Sequence, residues 1–117
     1  MAEAFANHYG SDVLAALSSG LGPTPGVARN TVRAMAEMNI DVSGHVPRLY
    51  NPFEAAACDI VINMAGFDLP GPQPREAIEW QVNDPFGSPM DTYRAVRNDL
   101  EQRVMRLILD LRKRTKR

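Results

Sequence analysis

Apolar residues recur along this chain in two alternating rhythms, a helical spacing of three to four and short unbroken runs of strand length. The alternation predicts an α/β domain in which helices flank a parallel sheet. Met1, Phe5 and Tyr9 share one face of a stretch that predicts a helix over Ala2–Tyr9, stopped at Gly10. No Ser, Thr, Asp or Asn opens that helix, so the amides of its first turn are left for a partner outside the chain as written. Asp12 to Ser19 is a short apolar run that predicts a strand, entering a Gly/Pro-rich turn through Gly26. A second helix is expected from Arg29 or Asn30 to Met38, with Val32, Met35, Ala36 and Met38 on its core face and Asn39 as a left-handed cap. Asn51-Pro52-Phe53-Glu54 forms a capping box with proline at the first helical position, and Ile60 to Met64 reads as a buried strand. The interval from Gly66 to Pro89 holds five of the nine prolines and is expected to be irregular, with Trp80 to Val82 as a short final strand.

The last helix carries the strongest pattern. Ser88-Pro89-Met90-Asp91 supplies a cap, a first-turn proline and an acid, and Tyr93, Val96, Leu100, Val104, Leu107, Ile108 and Leu111 then line one stripe. Such a stripe faces a core. The 117 residues, 44% hydrophobic and 23% charged, fit one soluble domain spanning 1–117. A net charge of -1 gives no reason to expect nucleic acid as a partner. Nine of the thirteen Lys and Arg nonetheless lie from Arg94 onward, and the run Arg112 to Arg117 complements the negative end of the last helix. No apolar run is long enough to span a membrane and no signal-type start is present, so the expected location is the cytoplasm.

Cys58 is the single cysteine, which excludes an internal disulfide and agrees with a reducing compartment. A nucleophilic thiolate would want glycines and an arginine downstream, and none follows Cys58, so it is expected to be a small buried hydrophobe between helix and strand. His8 and His45 have no second ligand at a suitable spacing, so no metal is expected. Asp84, in Asp84-Pro85-Phe86-Gly87, lies where an acid can project over the carboxyl edge of a parallel sheet, although Asp-Pro in a loop is also ordinary turn chemistry.

Four segments, taken in order, carry a resemblance: Met1-Ala2-Glu3-Ala4-Phe5-Ala6, Ser18-Ser19-Gly20, Ser43-Gly44-His45-Val46-Pro47-Arg48, and Trp80-Gln81-Val82-Asn83-Asp84-Pro85-Phe86-Gly87 before the amphipathic last helix. Together they resemble the low-molecular-weight protein-tyrosine phosphatases and the arsenate reductases of the same fold, over nearly the whole chain. The resemblance implies a four-stranded parallel sheet and a cysteine-dependent reaction in which a thiolate attacks phosphorus. It implies that Asp84 is the general acid, that Phe86 contacts substrate, and that Ser18 and His45 brace the phosphate loop. The implied partner is a phosphorylated protein or small oxyanion, with no cofactor.

Against the family pattern, these residues contain no Cys-x5-Arg-Ser loop and none of the central first strand that leads into it. Phosphate ester hydrolysis is the family expectation, with catalysis absent for these residues alone. Alternatives are an arsenate reductase using a small thiol, or a non-catalytic binding remnant. Ala65 to Pro70 lacks the cysteines of thioredoxin-coupled reductases, which argues against that route. Two accounts of Met1 stand, an internal methionine read as a start or a true remnant, and the Met-Ala-Glu-Ala sequence favours the first. Losing about four or five buried side chains at roughly 1.5–3 kcal/mol each is a deficit on the order of 10 kcal/mol, so marginal stability and self-association through exposed strand edges are expected.

Overall fold

In the computed structural model, described here for residues 1–22 and 26–115, the element order is α1 (Ala2–Tyr9), α2 (Arg29–Ala36), α3 (Pro52–Ala56), β1 (Ile60–Asn63), β2 (Glu76–Glu79) and α4 (Met90–Thr115). The middle of the turn expected through Gly26 and the last two residues of the basic run lie outside the described residues.

The long amphipathic helix organises the molecule. One stripe of α4 buries Tyr93, Val96, Leu100, Val104 and Ile108, and it packs across α1 and α2. Phe5 from α1, Met35 from α2 and Ile108 from α4 are fully enclosed. Burying each such side chain stabilises the fold by about 1.5–3 kcal/mol. Gly10 ends α1 because the chain passes tightly against α4 there. A Cβ at this position would lie 2.7 Å from Ile108 Cγ1, well inside van der Waals contact.

An ion-pair bridge joins α2 to α4. The largely buried Arg97 donates from Nη1 to the Ala34 carbonyl at 2.9 Å and to the Glu37 carboxylate at 2.6 Å, and Arg94 reaches the same carboxylate at 2.8 Å. These two guanidinium groups pull the Glu37 carboxyl from its ordinary 4.5 down to about 2. Asn39 takes φ 59° and closes the end of the helix region as expected, since asparagine tolerates that left-handed conformation.

The parallel sheet forms from β1 and β2, with Ile60 opposite Glu76 and Asn63 opposite Glu79. It corrects the sequence-based expectations in four places. The final strand is Glu76–Glu79 rather than Trp80 to Val82, although Trp80 N still donates to the Asn63 carbonyl. Residues 14–19 form no ladder with any described residue, and the segment enters one isolated parallel bridge, Gly20 with Leu49. A strand needs a neighbour to bond to, and here the Ala16 and Ser18 amides go to the side chains of Asn7 and Glu3 while the Leu14 amide goes to the Gly10 carbonyl. The third correction concerns β1, whose four residues are only half-buried, with one edge paired among the described residues. The fourth is the cap of α4. Pro89 offers its carbonyl to Thr92 N and Tyr93 N, and Ser88 places its backbone N–H on the Pro85 carbonyl without capping through its side chain. At α3 the box is half present: Asn51 Oδ1 accepts from Phe53 N at 3.0 Å and Glu54 N at 3.3 Å, while the Glu54 carboxylate pairs with Arg48.

Candidate functional site

Helix α1 has two working faces. Phe5 looks into the core, and Glu3 and Asn7, each about 200° around the helix from it, look toward the segment that follows Gly10. Asn7 treats Ala16 as a strand neighbour would, accepting from its N–H at 2.8 Å and donating to its carbonyl at 3.0 Å. One turn earlier, Glu3 Oε1 accepts from Ser18 N at 2.9 Å and Glu3 Oε2 lies 3.1 Å from His45 Nδ1. The Gly20 amide donates to the Arg48 carbonyl and the Tyr50 amide donates to the Gly20 carbonyl, both at 2.9 Å, zipping the 18–22 and 45–50 segments together.

A cavity of about 300 Å³ lies between those segments, lined by Ser18, Ser19, Gly20, His45, Pro47 and Arg48. The structure therefore brings together the two residues that the sequence nominated as loop braces, Ser18 and His45, and ties both to Glu3. The spacing of polar residues at i and i+4 on the face opposite Met1, Phe5 and Tyr9 is the sequence signal for Glu3 and Asn7, and the apolar face of α1 alone does not reveal it. Of the polar groups around this hollow, the Ser18 N–H and His45 Nδ1 are engaged by Glu3, the Gly20 N–H by the Arg48 carbonyl and the Arg48 guanidinium by Glu54, and the hydroxyls of Ser18 and Ser19 belong to lining residues.

Asp84 and Phe86 sit elsewhere, on the loop between β2 and α4, and neither lines this cavity. Asp84 is exposed, and its Oδ1 accepts from Phe86 N at 3.0 Å, the turn chemistry that Asp-Pro favours. That bond occupies one carboxylate oxygen, and the other makes no hydrogen bond among the described residues. Phe86, 75% exposed, presents its ring to solvent beside it. Cys58 is half-buried in the turn after α3, and its thiol donates to the Glu54 carbonyl with Sγ at 3.5 Å.

A larger open groove of about 510 Å³ runs between β2 and α4, bounded by Ile78, Trp80, Arg103 and Leu107. The Arg103 guanidinium lies over the Trp80 ring at 5.9 Å and pairs with Asp99, so its charge is already partnered. None of the nominated site residues lines it. Among the described residues no group of three or more His, Cys, Asp or Glu could hold a metal ion, and no helix is long and apolar enough to cross a membrane.

Residues 1–69 match the model of the low molecular weight phosphotyrosine protein phosphatase family. Relatives extend the likeness over about nine-tenths of the chain. A glutaredoxin arsenate reductase of Synechocystis is 34% identical over 92% of this chain and 85% of its own, and an arsenate reductase of Bacillus cereus is 27% identical over 91% and 81%. Among solved structures, an arsenate reductase in its phosphate-binding state superposes with a TM-score of 0.83 at 32% identity, covering 94% of this chain and 86% of that one. A protein tyrosine phosphatase at 19% identity shares the fold with a TM-score of 0.78. This chain belongs to the low molecular weight phosphotyrosine protein phosphatase family.

Proposed function

We propose that these residues form the frame of an arsenate reductase, binding a tetrahedral oxyanion beside the cavity of Ser18 and His45 and taking its nucleophilic thiolate from a Cys-x5-Arg-Ser segment that the 117 residues do not contain. The observation that carries the reading is the 34% identity to an arsenate reductase across 92% of this chain. The chemistry agrees with the cysteine inventory. Reducing arsenate to arsenite takes two electrons, supplied when two thiols become one disulfide. One thiol would be the loop cysteine, which displaces an oxygen of arsenate as water. The other must come from outside, because Cys58 is the single cysteine here and 65–70 offers none. A small thiol such as glutathione attacks the sulfur of the adduct, forming the mixed disulfide while arsenite leaves with the electron pair. Asp84 would serve as the acid that protonates the departing oxygen.

Hydrolysis of a phosphate ester is the second reading, favoured by one feature, the exposed pairing of Asp84 with the aromatic Phe86. An alkyl or aryl leaving group needs that proton, and an aryl substrate would stack on that ring. One experiment separates them. With a family-type first strand and Cys-x5-Arg-Ser loop joined before Met1, the completed protein is expected to form arsenite from arsenate in the presence of glutathione and to hydrolyse aryl phosphate poorly. Efficient aryl phosphate turnover without arsenite formation would reverse the assignment.

A further inference from the structure

The groove between β2 and α4 shares no lining residue with the hollow of Ser18 and His45, and at about 510 Å³ it falls within the size range of small-molecule sites. Its floor is apolar. Ile78 and Trp80, two residues apart at the end of β2, lie on one face of the extended chain, and Leu107 meets them from α4. Most of its charges are already matched. Arg103 pairs with Asp99 at 3.1 Å and Arg114 takes Asp110 at 2.8 Å, so both carboxylates that line the groove are compensated. Gln102 and Arg106 are the exception. Four residues apart on the same face of α4, both line the groove, and among the described residues neither side chain makes a hydrogen bond or an ion pair. The groove thus sets an apolar floor beside an uncompensated guanidinium and an amide that can donate to the same acceptor. We propose that it binds a small amphipathic carboxylate, a monoanion whose apolar body covers Ile78, Trp80 and Leu107 while its carboxylate accepts from Arg106 and Gln102. The planar guanidinium suits a carboxylate because the two can share a pair of parallel N–H bonds. A neutral ligand would leave the Arg106 charge unmatched, and a bare inorganic anion would leave the floor uncovered. The occupant rests on Trp80, which opens the loop carrying Asp84, and beside Arg103, whose Nη2 donates to the Gln81 carbonyl at 3.1 Å.

The site can be read without any turnover, because Trp80 is the single tryptophan of the chain and its fluorescence reports on the groove. With phenylbutyrate as the probe, the 117-residue chain is expected to show a saturable change in Trp80 emission with a Kd below about 10 mM. Phenylbutyramide keeps the apolar body and lacks the charge, so it is expected to bind at least about tenfold more weakly. Acetate keeps the charge and lacks the body, and no saturable change is expected from it over the same range. Arg106→Gln retains a donor without the charge and should weaken phenylbutyrate by at least about fivefold. Arg106 is exposed and unpartnered, so that substitution is expected to leave the melting temperature unchanged. No saturable change at about 10 mM phenylbutyrate overturns the proposal. So does an amide that binds as well as the acid, acetate that binds as well as phenylbutyrate, or a folded Arg106→Gln chain with the affinity of the parent. Should Arg106→Gln not fold, the comparison of acid, amide and acetate on the parent chain decides alone.

Discussion

At the scale of single residues, Glu37 contributes to the acid limb of stability, alongside Asp12, Asp41 and Glu76, whose carboxyls are also held below their ordinary values. The Glu37 carboxyl titrates in the folded state at about 2, held down by hydrogen bonds first from Arg94 and then from Arg97, against an ordinary value of 4.5. A carboxyl depressed in this way contributes stability that is complete above pH 4.5 and lost as pH falls from there toward 2. Glu37→Gln is therefore expected to lower the melting temperature at neutral pH and to flatten its decline between those values, which thermal melts across the range would show; an unchanged acid limb would mean that the bridge between α2 and α4 does not form in solution. Gly10 offers a sharper steric test. Gly10→Ala sets a methyl 2.7 Å from Ile108 Cγ1 and 2.8 Å from its Cδ1 and should cost about 1–3 kcal/mol in urea unfolding; adding Ile108→Val removes Cδ1 but keeps Cγ1, so only part of the loss is expected to return. Glu37 and Gly10 were both visible as letters, but neither the clasp nor the close approach could be read before α2, α1 and α4 were set against one another. His45 and Ser18 were legible because they stand in short motifs. Glu3 was not, because its partners lie fifteen and forty-two residues away along the chain.

Among the elements, legibility followed the source of each one's stability. α4 was plain from its stripe, because a long amphipathic helix carries its own hydrogen bonds and a readable period. α1 and the cap of α3 were equally plain, the latter from Asn51 alone. Asn51→Ala should destabilise by about 1 kcal/mol, with the loss of protection confined at first to the amides of 53–56 in hydrogen exchange. Strands were another matter. Residues 12–19 have strand-like letters, yet a strand exists only by pairing, and α1 supplies Asn7 and Glu3 in place of a ladder. β2 was displaced toward the N-terminus of its expected position because Glu76 shares the inner, half-buried face with Ile78 and hides the alternation. The structure accounts for that carboxylate: Arg114 from the end of α4 pairs with it at 2.8 Å and holds its carboxyl below the ordinary range. The basic run at the end of α4 thus does more than complement the helix dipole, since Arg112 also reaches across to Asp12 at 3.0 Å and to the Tyr9 carbonyl at 2.9 Å.

For the molecule as a whole, the helices carry the core and the two-stranded sheet lies outside it. Among the described residues β1 is bonded along one edge only, and Leu17, Leu49 and Phe53 stand more than half exposed. Such edges and side chains favour association. The 117-residue chain is expected to gain mass with concentration in light scattering, and Val61→Lys, which charges the β1 segment, is expected to reduce that gain; a chain that stays monomeric to high concentration would remove the sheet edge as an interaction surface. The proposed function is an oxyanion frame completed by a thiolate loop. Its most direct measurement adds a synthetic peptide, comprising a family-type strand and Cys-x5-Arg-Ser loop, to the chain and follows the amides of 14–19 and β1 by hydrogen exchange while arsenate and glutathione are supplied. Those amides should become protected and arsenite should accumulate only with both chain and peptide present. Protection without arsenite would deny the reductase assignment, and neither protection nor arsenite from a folded chain would contradict the claim itself.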